Sequence, residues 1–205
     1  MLYPPACLLC RAPLSAVPGP SFREERGAVL CDACELACPR NAKGGAPWQY
    51  AEGAARAIQQ FKYHRRWRIG RWLADGMADL ARTSLPIHEI DAVVPVPLHW
   101  AKRRLRGFDP VGQLAQHVAG SLARTYLPHA LRRTRWTATQ TRLQGRARQR
   151  NVQGAFTAKP QLVNRLRLLL IDDVLTSGAT AEACVSALQQ AGAASVRVLT
   201  AARTP

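Results

Sequence analysis

Leu166 to Arg203 reads LRLLLIDDVLTSGATAEACVSALQQAGAASVRVLTAAR, and this run restricts the fold more than any other part of the chain. An apolar strand, LRLLLI, is followed by a short turn, a helix over GATAEACVSALQQAG closed by Gly192, and a second strand, SVRVLTAAR. Strand, helix, strand with short connections is a βαβ unit. Its strands lie parallel, with helices covering both faces and ligands bound beyond the carboxyl ends of the strands. The expected fold is therefore α/β, a parallel sheet flanked by helices. Cys184, inside the helix among Ala, Val and Leu, reads as a small buried apolar residue.

Asp172 and Asp173 follow Ile171, the last apolar residue of the strand, and are expected at the edge where the crevice opens. Two adjacent carboxylates need partners there, and vicinal ribose hydroxyls are suitable ones, with a nearby Mg²⁺ or Arg offsetting the repulsion. The next residues are Thr176, Ser177, Gly178, Ala179 and Thr180. They supply hydroxyls, a permissive glycine and unpaired N–H groups at a helix N-terminus, a receptor for a phosphate dianion. A diol at one end and a phosphate at the other describe a ribose 5-phosphate. IDDVLTSGAT resembles the 5-phosphoribosyl-1-pyrophosphate (PRPP) motif of type I phosphoribosyltransferases, whose reaction displaces pyrophosphate from C1. The resemblance makes Asp172 and Asp173 the candidate catalytic pair.

Upstream, WQYAEGAARAIQQFKY places Tyr50, Ala54, Ala57, Ile58 and Phe61 on one helical face, and RIGRWLADGMADLAR does the same with Ile69, Leu73, Met77 and Leu80. DAVVPVP is a short β-branched strand. DPVGQLAQHVAGSLARTY is helical, with Asp109 as a candidate N-cap and Pro110 at the first position. Between the strand and that helix lies a Pro-punctuated turn, Pro95, Val96, Pro97, Leu98 and His99, and then a basic run containing Lys102, Arg103, Arg104 and Arg106. By resemblance to the pyrophosphate loops of the same superfamily, the turn, with Arg103 and Arg106, would hold the diphosphate. Arg132 to Arg150 is basic and aperiodic and reads as a long loop. The overlapping stretch TATQTRLQGRARQRNVQGAF is similar to the mobile loop that closes over PRPP in glutamine-type amidotransferases, with Gln140, Leu143, Arg148 and Asn151 at the recurrent positions.

The N-terminal part obeys a different logic. Cys7 and Cys10 form one CxxC pair and Cys31 and Cys34 another, separated by a Pro/Gly-rich stretch too polar to build a core. Two such knuckles can meet one tetrahedral structural Zn²⁺; two disulfides are the alternative, and Cys38 is a spare ligand. Residues 1–40 are expected to form a zinc-ribbon-like segment, 39–47 a linker, and 48–205 the phosphoribosyltransferase-like domain. The start MLYPPACLLC has no charged end followed by a long apolar run, and no stretch is long enough to span a bilayer. A cytoplasmic protein without membrane insertion is expected.

The double CxxC, FKY, PVPLHWAKRRLRGF, TQTRLQGRARQRNVQGAF and LLLIDDVLTSGAT together resemble the ComF family across nearly the whole chain. That resemblance implies a PRPP-type fold and a role in DNA uptake during natural transformation, other members being named for gluconate utilisation. Three departures stand out. Asp109 and Pro110 follow RGF where the family has Asn; HRRW, His64 to Trp67, replaces a Gly-Asp turn; and Ser177 stands where Thr is common.

Two functions follow. One is a PRPP-binding protein or Mg²⁺-dependent phosphoribosyltransferase. The other is a non-catalytic accessory protein that binds single-stranded DNA and other uptake proteins. Subtracting 13 acidic from 29 basic residues leaves +16, and the arginines are interleaved with Trp48, Trp67, Trp100 and Trp136, a composition suited to polyanions and base stacking; Trp72 lies beside an apolar helix face and reads as core.

Overall fold

The structure, a computed structural model, describes residues 6–14, 30–98, 104, 107–134 and 154–205. In chain order the elements are helix α1 (Asp32–Leu36), strand β1 (Trp48–Gln49), helices α2 (Glu52–His64) and α3 (Trp67–Ser84), strand β2 (Ala92–Pro95), helix α4 (Pro110–Ser121), strands β3 (Thr125–Tyr126), β4 (Leu131–Arg133) and β5 (Phe156–Ala158), helix α5 (Pro160–Val163), strand β6 (Arg167–Leu175), helix α6 (Ala179–Gln190) and strand β7 (Ser195–Arg203). β1, β7, β6, β2 and β3 form one sheet in that order, and each pairing within it is parallel. The expected parallel α/β sheet with flanking helices is what the chain adopts.

The central strand explains itself. Leu168, Leu169, Leu170 and Ile171 are all buried, which on a pleated strand requires cover on both faces. α4 packs on β2 and β6, while α6 packs on β5, β6 and β7. In α3, Ile69, Leu73 and Met77 recur four residues apart and are each at most 1% exposed. α4 begins as expected: the Gly112 N–H donates to Asp109 Oδ1 at 3.0 Å, with Pro110 in the first turn. At the edge away from the candidate crevice, the Arg167 guanidinium donates to both carboxylate oxygens of Asp91, at 2.7 and 3.1 Å, and holds that carboxyl down to about 2.

Three local readings are corrected. Trp48 and Gln49 are not a helical start; they pair with Ala202 and Arg203 of β7, and α2 begins at Glu52. Trp48 is 3% exposed, its ring 4.3 Å from that of Trp72, so it offers no free stacking surface. Arg132 and Arg133 are not loop but part of β4, paired antiparallel with β5.

The N-terminal segment packs on α2. The Gly53 N–H donates to the Ala37 carbonyl at 2.9 Å, and Arg56 and Gln60 reach Cys34 Sγ and the Leu9 carbonyl at 3.4 and 3.5 Å. A Cβ on Gly53 would stand 2.4 Å from the Ala37 oxygen and 2.6 Å from Cys38 Sγ, so only glycine permits this approach. Residues 39–47 form a turn bonded to the sheet, where the Thr200 N–H donates to the Gly45 carbonyl at 2.9 Å. No helix among the described residues is long and apolar enough to cross a membrane.

Candidate functional site

β2 ends where Pro95 pairs with Ile171, but β6 continues beside β7 as far as Leu175. Asp172 and Asp173 are thus the first residues of a ledge that has lost its neighbour on the β2 side. They lie within the strand, not after it as the sequence reading has them. β7 supplies the reason, because its pairing with Asp172, Val174 and Leu175 keeps the backbone extended. Adjacent strand residues point to opposite faces, and the surroundings agree. Asp173 Oδ2 meets Lys62 Nζ of α2 at 2.5 Å, whereas Asp172 feels the charge of Lys62 and, after it, of Arg133 on β4, and adds to the burial that raises the Cys184 thiol of α6. The Asp173 N–H also donates to Asp172 Oδ1 at 2.8 Å.

Burial, joined by the charge of Asp173, pushes the Asp172 carboxyl up to about 7; the Asp173 N–H, Lys62 and Arg133 pull the other way. Between about pH 4, where an ordinary aspartate ionises, and about pH 7, the folded chain keeps a proton that the unfolded chain has lost. Stability of the ligand-free protein therefore falls as pH rises through this window. Asp172→Asn imitates the protonated group. Its melting temperature should match wild type near pH 4 and exceed it near pH 8, by an amount equivalent to about 1–3 kcal/mol. Parallel melting curves at both pH values would contradict the assignment.

The rest of the expected site borders this ledge where it is described. The Val96 N–H donates to the Ile171 carbonyl at 2.8 Å, so the Pro95–Leu98 turn starts one residue from the acidic pair. Pro95 and Val96 are buried, while Pro97 and Leu98 are half-buried. On the other side, Thr176 and Ser177 are exposed and Thr180 half-buried, while Ala179 is buried at the helix start. Gly178 precedes α6 with φ +80°, the conformation glycine adopts without strain. The Thr204 N–H donates to the Leu175 carbonyl at 3.0 Å and ties this turn to the end of β7, while the first N–H groups of α6 have no carbonyl of their own helix to bond. His99, Arg103 and Arg106, and Gln140, Leu143, Arg148 and Asn151, lie outside the described residues.

Lys62 and Arg133 were missing from the expected site. Lys62 stands in FKY, in the last turn of a helix where a cation is unremarkable. Arg133 stands in a stretch read as loop, with its guanidinium 5.4 Å from the Phe156 ring centre. Neither signals its proximity to the acidic pair without the sheet that brings them together.

A second cluster lies in the N-terminal segment. The sulfurs of Cys7, Cys10, Cys31 and Cys34 all lie within 4.8 Å of one another, Cys10 and Cys31 being 3.5 Å apart. Tetrahedral zinc with bonds of about 2.3 Å needs sulfurs about 3.8 Å apart, so the group fits that ion. Burial and the neighbouring thiols raise the Cys34 thiol. Against burial, backbone N–H groups of this segment bring Cys7 down to about 6, so one thiolate is already favoured. Cys38 is not among the four converging thiols; it is buried, which pushes it up to about 11.

No family model matches the chain. It is 33% identical over 227 residues to the DNA utilization protein YhgH of Salmonella typhimurium, spanning 100% of this chain and 99% of that one. The corresponding Escherichia coli K12 protein is 31% identical over 232 residues, with the same coverage. Competence protein F of Haemophilus influenzae is 29% identical over 160 residues, 75% of this chain and 69% of that one. Among solved structures, glutamine PRPP amidotransferase from B. subtilis, complexed with ADP and GMP, aligns with a TM-score of 0.47 at 21% identity, over 69% of this chain and 30% of that one. Adenine phosphoribosyl transferase from Trypanosoma brucei, in complex with AMP, pyrophosphate and ribose-5-phosphate, aligns with a TM-score of 0.42 at 15% identity, over 78% and 62%.

Proposed function

Because the chain belongs to the ComF family, with DNA utilization protein YhgH and competence protein F, we propose that it is a phosphoribosyltransferase-like protein that binds PRPP or a related ribose phosphate and serves DNA uptake. The observation that carries the binding reading is the juxtaposition on one sheet edge of the Asp172–Asp173 ledge and the Thr176–Thr180 turn at the start of α6. Carboxylates accept from the ribose hydroxyls, and the helix-start N–H groups with Thr176, Ser177 and Thr180 receive the 5-phosphate. Pro95 to His99, with Arg103 and Arg106, is assigned to the diphosphate, and Gln140, Leu143, Arg148 and Asn151 to the cover over it.

Cys7, Cys10, Cys31 and Cys34 would hold zinc, which contributes folding energy and no chemistry. Mg²⁺ supplies positive charge to the diphosphate and is expected to arrive with it, since Asp173 is already paired with the Lys62 ammonium. Reduced thiols suit the cytoplasm.

Calorimetric titration of PRPP with Mg²⁺ into the zinc-loaded protein should give saturable binding at one site per chain. A flat titration with well-folded protein would remove PRPP from the reading.

A second reading, contact with single-stranded DNA, is favoured by one surface. Where α2 meets α3, Trp67 is 48% and Tyr63 67% exposed. The Trp67 ring lies edge-on to Phe108 at 5.1 Å, and Arg65 sits over Phe108 at 5.7 Å. Such a corner can stack bases and attract phosphates, each stacked base contributing about 1–3 kcal/mol. Trp67→Ala should therefore weaken binding of a labelled oligothymidine by about tenfold. An unchanged affinity would exclude this corner as the DNA contact.

A further inference from the structure

The geometry points to Lys62 as a built-in counter-cation of the acidic pair, occupying the place on Asp173 that a divalent ion would otherwise take, so that ribose phosphate binds there without a directly coordinated metal. This rests on the ribose phosphate reading for its effect on ligand binding, though not for the occupancy of Asp173 itself.

The Lys62 ammonium meets Asp173 Oδ2 at 2.5 Å, and the two side chains are only 20% and 15% exposed. A partly buried ion pair differs from a surface pair, because separating it leaves two charges that water solvates poorly. The ammonium beside Oδ2 repels a second cation from the same carboxylate. A divalent ion taking Oδ2 would have to displace Lys62, and the helix that delivers Lys62 is itself held in place. Phe61, next to it, is 2% exposed and packs edge-on against Phe108 and Trp67, at 5.9 and 6.3 Å. Gly53, Arg56 and Gln60 fasten the same helix to the N-terminal segment.

Asp172 also feels the Lys62 charge, and after it that of Arg133 on β4, the hairpin packed against α6. The pair is thus served by two cations from the chain, with Lys62 in direct contact with Asp173. A ribose diol brings two neutral donors and no charge, so it can join carboxylates already compensated in this way. Lys62 is accordingly a positioning residue: it fixes the orientation of the Asp173 side chain without touching the reacting carbon.

The test uses zinc-loaded full-length protein and ribose 5-phosphate, a probe without the diphosphate that would chelate Mg²⁺. Wild type should bind it with the same affinity, within about twofold, in metal-free buffer and in millimolar Mg²⁺. Lys62→Met should bind about tenfold more weakly without Mg²⁺ and recover part of the loss when Mg²⁺ is added. Lys62→Arg should behave as wild type, and melting curves confirm that both variants fold. A parallel titration follows free Mn²⁺ by electron paramagnetic resonance. Wild type should show no saturable site at the acidic pair, and Lys62→Met should gain one that disappears when Asp173→Asn is added. An equal response of wild type and Lys62→Met to Mg²⁺ would overturn the proposal while leaving the ribose phosphate site intact. If wild type binds no ribose 5-phosphate, the ligand reading falls, and the Mn²⁺ arm alone decides whether Lys62 blocks a cation site.

Discussion

Titrated with PRPP, the double variant Asp172→Asn, Asp173→Asn is expected to show an affinity lower than wild type by about a hundredfold to ten-thousandfold. The range follows from two charge-assisted hydrogen bonds of about 1.5–3 kcal/mol each, at about 1.4 kcal/mol per factor of ten. Removing Asp173 also strands the Lys62 ammonium, so Asp172→Asn alone is the cleaner variant. The Asp172 carboxyl is already inclined to carry a proton, and the amide fits the same space. The sign of the pH effect distinguishes ligand binding from folding. Binding needs the Asp172 carboxylate, so wild-type affinity should be full above about pH 7 and fall as the pH drops through that value. In Asp172→Asn this fall should disappear, leaving only the titration of the ligand's own phosphate. Stability of the free protein runs the opposite way, declining as pH rises. An Asp172→Asn protein that binds PRPP as tightly as wild type at pH 8 would show that the ledge does not hold the ribose.

Replacing Cys7 and Cys31 together with Ser is expected to produce the largest change in stability. Metal analysis should find one zinc per wild-type chain and none in the variant. Cys7, Leu8, Leu9, Leu30, Cys34 and Cys38 are all buried in the same hydrophobic cluster as Phe61 and Ile58. Among the described residues of their segment α1 is the one helix, and no disulfide links its thiols. Loss of the ion should release it from α2. Even a fraction of the roughly 10–16 kcal/mol typical of structural zinc, say about 3–5 kcal/mol expressed as lost stability, would lower the melting temperature by about 10 °C in a chain this long. A variant that binds no metal yet melts as wild type would show that packing on α2 alone holds the segment.

The parts of this protein legible in its sequence are those decided by neighbours along the chain. Asp109 and Pro110 announce the start of α4 because a cap is a local hydrogen bond. Leu168 to Ile171 announce a covered strand because burial on both faces leaves no polar positions. The spacing of the four cysteines likewise carries their convergence. What escaped depends on distant partners. β6 runs through two aspartates only because β7 lies beside it, and Trp48 is a strand residue only because Ala202 is its partner. Arg133 joins the site through β4, whose mate β5 lies beyond a long intervening stretch. Lys62 is the clearest instance: its helix was legible and its partner was not, since nothing in FKY indicates which end of the sheet that helix will meet.

α2 also limits how this chain can vary in length. Gly53 fits the N-terminal segment only in its present orientation, and Lys62 reaches Asp173 from the last turn of the same helix. One residue inserted between them would turn Lys62 by about 100° and advance it by about 1.5 Å, away from the ledge. Substitutions at exposed positions such as Gln59 leave this spacing intact, but gains and losses of residues between Gly53 and Lys62 do not. The stretch behaves as a spacer of fixed count, and its length should vary less among relatives than its composition does.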